Sequence, residues 1–334
     1  MRIALLCIAL GTPGWALAQD PPDEAAAAEE AATKPAKPTD QVTLSGVLFS
    51  HYGLDLTKGS SLFNEFALDR AYLTVKATLG ESLAVRFTTD VDMPEDAKVR
   101  PYVKYAYLEW KEPLPGIKVR LGAAGNGYVG YYDKLWGNRY IRKQFTDAFK
   151  IVNSSDFGLH VLGSHNDKAI TWQASVVNGE GYGSPEVDAG KTGQVRVSYD
   201  PLAGKKALPI TAYVSYDVGA DDPTLVAAGA VGYQVGHMMA WAEVVAQMQG
   251  DTSGFGYSAT LAPQVLDDVA FIARYDHWDP DSGAEADGSD TFIAGVSHNY
   301  YKKVSLALLY EGTLRQADDS SYSHGVFIRT QAGF

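Results

Sequence analysis

Cysteine is almost missing from this chain: the single one, Cys7, sits close to the N-terminus. That excludes a disulfide scaffold and a cysteine-ligated metal centre. Beyond the N-terminus no apolar run reaches the roughly 18 residues of a membrane-crossing helix, so a helical membrane protein is excluded too. Positive charge is scarce, with Lys+Arg 28 against Asp+Glu 40 and a net charge of −12. A nucleic-acid partner is therefore not expected, because phosphate binding needs a basic face. What the chain has in quantity is glycine (33) and tyrosine (20, against 12 Phe and 6 Trp), in a composition that is 46% apolar. Taken singly these totals fit two ordinary soluble domains; what matters is where the apolar residues point.

Residues 1–18 read as a signal peptide. Arg2 supplies the positive start, Ile3 to Leu10 the apolar core, and Ala16-Leu17-Ala18 an A-x-A cleavage site before Gln19. Cys7 lies inside that core, so the exported chain should contain no cysteine. Residues 19–40 are rich in Ala, Glu, Pro and Lys and carry no aromatic residue, so they cannot bury a core. They are expected to form a disordered periplasmic tether, leaving residues 41–334 as the folded body.

Within that body alternation of period two recurs, and no long helical period competes with it. Arg70 to Leu79 puts Ala71, Leu73, Val75, Ala77 and Leu79 on one face and Arg70, Tyr72, Thr74, Lys76 and Thr78 on the other. Val85 to Asp92, Ile117 to Leu121 and Val195 to Asp200 repeat the pattern. Sixteen strand candidates follow, near 41–56, 64–80, 82–93, 100–113, 116–126, 154–163, 169–183, 190–202, 208–219, 223–236, 238–250, 253–264, 267–280, 290–302, 304–316 and 322–334. Fourteen or eighteen stay open, since 223–250 can be divided differently. Most candidates reach the roughly 9–11 residues with which a tilted strand crosses a bilayer.

The last strand alternates Val326, Ile328, Thr330 and Ala332 and ends on Phe334. This ending resembles the C-terminal signature of bacterial outer-membrane β-barrels, in which the terminal strand is read by the barrel-insertion machinery. The resemblance implies an inverted polarity, with apolar residues on lipid and charges in the lumen. With both termini periplasmic, Gly80-Glu81, Pro113-Leu114-Pro115, Gly236-His237 and Lys302-Lys303 fall at inner turns. The links 94–99, 184–189, 279–289 and 316–321 fall outside, and Ala203 to Ala207 makes one longer inner turn.

Residues 127–153 form the longest connection, the third on the outside. Leu135, Trp136, Tyr140 and Phe145 in it need somewhere to pack, and a barrel of this size has an open interior. The chain resembles Gram-negative outer-membrane porins, most closely the phosphate-selective O/P-type group. The resemblance rests on Phe66 to Gly80, Leu121-Gly122, Ser155-Asp156-Phe157-Gly158-Leu159 and Val177-Asn178-Gly179-Glu180-Gly181. It implies an all-β, antiparallel transmembrane barrel of about 16 strands, a third outside loop folded inward as the constriction, and a homotrimer in the outer membrane. Its implied function is passive diffusion of small hydrophilic solutes or ions.

The charges give that expectation residues. Lys134, Arg139, Arg142, Lys143 and Asp133 lie in the constriction loop, and Arg70, Lys76, Arg86, Lys118 and Arg120 share the lumen face of strands two, three and five. Asp156, Asp200, Asp217, Glu243 and Asp276, with Glu311, are expected on the opposite wall, accompanied by Arg196, Arg274 and Arg329. Such walls focus the field in a low-dielectric pore, and a weak, phosphate-like anion preference is the expectation. The alternative is that the charges only pair and keep the lumen wet. Tyr199, Tyr216, Tyr257, Tyr275, Tyr300, Tyr301 and Tyr310 suit an aromatic girdle facing outer-membrane lipid and lipopolysaccharide. The seven histidines show no ligand spacing, 279–288 lacks the pattern of a helical calcium loop, and no G-x-S-x-G elbow occurs. No cofactor, metal or catalytic residue is expected; the rival functions are a lipid-active barrel enzyme and a plugged structural barrel.

Overall fold

The computed structural model describes residues 41–92, 99–205, 207–219, 222–316 and 322–334. The expected signal peptide and tether lie outside the described residues, as does most of the links 94–99 and 316–321.

Each alternating segment becomes a strand: β1 (Gln41–Asp55), β2 (Asn64–Leu79), β3 (Leu83–Asp92), β4 (Arg100–Lys111) and β5 (Ile117–Gly125). After the long connection come β6 (Ser155–His165), β7 (Ile170–Val177), β8 (Lys191–Tyr199), β9 (Ile210–Val218), β10 (Thr224–Val235) and β11 (Met238–Gln249). The last are β12 (Thr252–Leu261), β13 (Gln264–Leu266), β14 (Val269–Asp279), β15 (Ser289–Tyr301), β16 (Val304–Arg315) and β17 (Tyr322–Gly333). Neighbours pair antiparallel, and β1 pairs with β17, so the sheet closes. β12 and β13 both pair with β14 and form one stave, interrupted where Pro263 has no N–H to give. The result is a closed barrel of sixteen staves, and the stretch 223–250 is two full strands joined at Gly236-His237, with Gly236 at φ 58°.

One expected strand ran too long. The ladder of β7 stops at Val177 instead of 183, because Gly179 (φ 127°) and Gly181 (φ 84°) take a left-handed backbone that no strand continues.

Side chains sort by parity as the alternation predicts. Along β9, Ile210, Val214, Tyr216 and Val218 are exposed outward, while Thr211, Tyr213 and Ser215 are buried inward. The same division runs through β10 to β12, β14 and β16. Apolar outside and polar inside is the arrangement of a barrel whose solvent is hydrocarbon, where closure leaves no unpaired edge. Tyr199, Tyr216, Tyr257, Tyr275, Tyr300 and Tyr301 are exposed on the outer wall, and Tyr310 half-exposed. At the barrel end where β1 begins and β17 finishes, Phe334 extends the β17–β1 ladder by exchanging hydrogen bonds with Gly46 (3.0 and 3.3 Å). Its ring lies where a Gly46 side chain would stand.

The polarity makes a testable statement. Leu308 stands exposed on the outer face near the middle of β16. Leu308→Arg should destabilise the barrel in phospholipid vesicles by about 2–4 kcal/mol. Equilibrium denaturant unfolding in vesicles measures it, and an unchanged stability would mean that this face does not meet hydrocarbon.

Candidate functional site

The connection after β5 turns into the barrel instead of away from it. Asn126 starts α1 (Gly127–Trp136), its side-chain oxygen accepting from the backbone N–H of Tyr128 (2.8 Å) and Val129 (3.3 Å). That is an ordinary N-cap. Gly137, left-handed at φ 66°, ends the helix by donating its N–H to the Asp133 carbonyl. A single-turn helix, α2 (Phe145–Ala148), follows.

The two faces of α1 have different partners. On one, Tyr128 stacks on Tyr213 of β9 (centroids 5.1 Å apart) and donates its hydroxyl to Glu243 of β11 at 2.7 Å. Tyr132 meets the edge of Trp241 at 5.0 Å, and Leu135 and Trp136 are buried beside it. Past the helix, Gln144 donates to the same Glu243 oxygen (2.7 Å), and Tyr140 bonds Ser297 of β15 (2.9 Å). Arg142 pairs with Glu311 of β16 (2.8 Å) and lies 3.8 Å from Asp276 of β14. Arg274 donates to the Lys143 carbonyl at 2.9 Å, and Arg329 to that of Ile141. The loop thus docks on the lumen side of the staves running from β7 round to β17.

The other face of α1, made by Val129, Gly130, Asp133 and Lys134, looks across an open space at β17 and β1 to β4. With Arg139 it bounds a space of about 70 Å³, whose far side is built by Val47, Phe49, Tyr72, Thr74, Arg86 and Tyr105. Among the described residues the charged groups on this lining are Arg86, Lys134, Arg139 and Asp133.

The residues singled out by sequence therefore divide. Lys134 is exposed to the space and makes no ion pair among the described residues. Arg139 lines it too but bridges Asp133 and Asp147 (2.9 Å to the latter). Arg142 points away, to the far wall. Lys143 is half-buried; burial pushes its ammonium below the ordinary lysine range, with Asp147 opposing. Burial alone would raise Asp147, but Arg139, Lys143 and Lys104 hold it below the usual carboxylate range. On the near wall Arg70 bonds Asp90 and Tyr102 (2.7 Å each), and Arg86 lies 4.5 Å over the Tyr105 ring. Lys76 sits opposite Arg86 in the β2–β3 register. Arg120 bonds Glu109 (2.7 Å) over the Tyr107 ring, with Lys118 two residues along the same face.

The acidic residues expected on the opposite wall turn inward, each with partners of its own. Asp156 accepts from the Phe157 and Gly179 backbones, Asp200 from Leu202 and Ala207, and Asp217 from Thr192 and Thr224. Glu243 and Asp276 meet the loop or its anchors. Arg196 lies over Tyr131 at 4.5 Å and donates to Thr171 and Ser198.

Lys104 was not visible from the alternation. It is the extra residue of a bulge where Thr88 and Thr89 of β3 face Tyr105 and Val103 of β4. Two successive side chains, Lys104 and Tyr105, then turn inward. The Lys104 ammonium donates to Ser154 Oγ (2.5 Å) and lies 3.8 Å over the Tyr182 ring.

Compared with known proteins, the chain matches no family model and no curated sequence. Solved structures do share its fold. The anion-selective porin of Comamonas acidovorans superimposes with a TM-score of 0.66 at 12% identity, covering 89% of this chain and 100% of that one. OmpF of Salmonella typhi, solved with daunomycin, gives 0.65 at 13% over 88% and 98%. The trimer form of OmpT from Vibrio cholerae gives 0.61 at 13% over 89% and 100%.

Glu243 should be the main grip on the loop. Glu243→Ala removes the acceptor of two buried 2.7 Å hydrogen bonds, at roughly 1–3 kcal/mol for each group left unsatisfied. Limited proteolysis of the folded variant should then cut within 127–153 where the unaltered protein resists. Equal resistance would show that the remaining contacts hold the loop without it.

Proposed function

We propose that the protein is a porin of the bacterial outer membrane, a passive channel for small hydrophilic solutes with a preference for anions. The observation that carries this reading is the lining of the space between α1 and the near wall. Among the described residues, Arg86, Lys134 and Arg139 are the cations on that lining and Asp133 is the carboxylate, with Arg139 shared between Asp133 and Asp147. In a narrow passage with low-dielectric walls, the nearest charges set the local potential and concentrate the opposite ion. The outward apolar face supports a membrane setting, and the structural likeness to porins supports a channel. A homotrimer is part of the proposal, since one structural relative is a trimer form. Export by residues 1–18 and a tether over 19–40 complete it, with lipid and lipopolysaccharide around the girdle. Phosphate is one anion that such a lining would take.

Planar-bilayer recording in a KCl gradient tests the proposal. Conductance with a chloride-favouring reversal potential is expected, and Lys134→Glu should shift that potential towards the cation side. Absence of conductance would make the barrel a plugged structural element, and a cation-favouring potential would overturn the anion preference.

Gly130 gives a steric test in the same recordings. A Cβ built there meets nothing within 4 Å, so a side chain would stand in the passage. Gly130→Phe should lower single-channel conductance while the barrel still folds, because a non-glycine residue favours the helix by up to about 1 kcal/mol. Unchanged conductance would move the passage elsewhere.

A further inference from the structure

The two sides of the constriction differ in kind as well as in charge. A water-filled lumen is expected to be polar, yet Val47, Phe49, Tyr72 and Tyr105 line this space from β1, β2 and β4, and Val129 lines it from α1. Phe49 and Tyr72 stand edge to face (6.1 Å, 87°), and Phe49 also meets Tyr140 of the loop at 6.4 Å. Those contacts fix two rings at the passage wall. Opposite them the lining carries the Lys134 ammonium, with Arg139 beside it. Between the two, Gly130 leaves open the room that any other helix residue would fill.

A small inorganic anion gains from the cations but nothing from the rings, and must shed water beside apolar carbon. A flat organic anion gains from both: its carboxylate on the Lys134 side and its ring against Tyr72 and Phe49. Aromatic pairs of this kind favour edge-to-face or offset contact. On the premise that the protein is an anion-preferring channel, we propose that its constriction is a binding site for aromatic carboxylates, held by Lys134 and the Phe49–Tyr72 pair.

Single-channel recording in KCl with benzoate, cyclohexanecarboxylate, acetate or phosphate added to one side tests this on the unaltered protein. Benzoate should reduce the chloride current in a saturable way, at concentrations about tenfold below those at which acetate or phosphate act. Cyclohexanecarboxylate should fall between, since it has the bulk without the ring quadrupole. Lys134→Met and Tyr72→Ser should each raise the benzoate concentration for half-block by about tenfold. An anion-selective current that benzoate and phosphate block equally, or that Tyr72→Ser leaves with the same benzoate block, overturns the aromatic site and leaves the channel standing. A cation-selective current, or none in KCl alone, removes the channel premise itself.

Discussion

Every backbone N–H and C=O in a barrel wall must find its partner in the next stave, because hydrocarbon offers none. The β1–β17 pairing that closes the sheet meets this demand, and it fixes more than the backbone. Once the ladders are in register, each residue has no choice of side. Parity sends Ile210, Val214 and Tyr216 outward and Thr211, Tyr213 and Ser215 inward. A shift by one residue would put every lumen charge of that stave into lipid. The register is therefore set by the cost of misplacing charge, and the charges end up facing one another across a confined space.

That confinement decides the fate of residues 127–153. A loop bearing Tyr128, Tyr132, Leu135, Trp136 and Phe145 has apolar surface to bury, while the lumen around it is mostly polar. The structure meets both needs with amphipathic tyrosines, whose rings pack and whose hydroxyls reach carboxylates or serine. Tyr128 does so on Tyr213 and Glu243, and Tyr140 on Phe49 and Ser297. Docking on one side necessarily leaves the other side open. The proposed passage is thus the part of the lumen that α1 leaves open, and its walls are one helix face and five neighbouring staves.

Much of this was legible in sequence, because period two reports parity directly. The sixteen staves, the inner turns and the inward carboxylates all follow from it. Three things did not, each for a physical reason. α1 was hidden because Gly127 and Gly130 and a run of aromatics make a poor helix by propensity; its Asn126 cap and its packing on β9 and β11 hold it. Lys104 was hidden because a bulge breaks the parity that the eye was counting. The destination of Arg142 was hidden because Glu311, its partner, lies 169 residues further along the chain. Loop cations look alike in sequence, and only the docked geometry distinguishes Arg142, which fastens the loop, from Lys134, which faces the passage.

The same division explains how a chain of net charge −12 can turn cations towards the proposed passage. Net charge is a sum over the whole surface, whereas a permeating ion responds to the few groups within about a Debye length, roughly 8–10 Å at ordinary ionic strength. The inward carboxylates are committed elsewhere. Asp156, Asp200 and Asp217 hold strand ends and turns, Asp90 and Glu109 hold Arg70 and Arg120, and Glu243, Asp276 and Glu311 engage the loop or its anchors. Asp90, Glu109, Asp276 and Glu311 are paired with arginines that offset their charge, while Asp156, Asp200, Asp217 and Glu243 accept hydrogen bonds from neutral groups away from the lining of the proposed passage. Lys134 has no carboxylate paired to it among the described residues, so its charge survives at the lining. The sign of the constriction is therefore a consequence of how the loop is anchored: the more completely the far wall's acids are used to hold it, the less acid remains to oppose the cations it turns towards the passage.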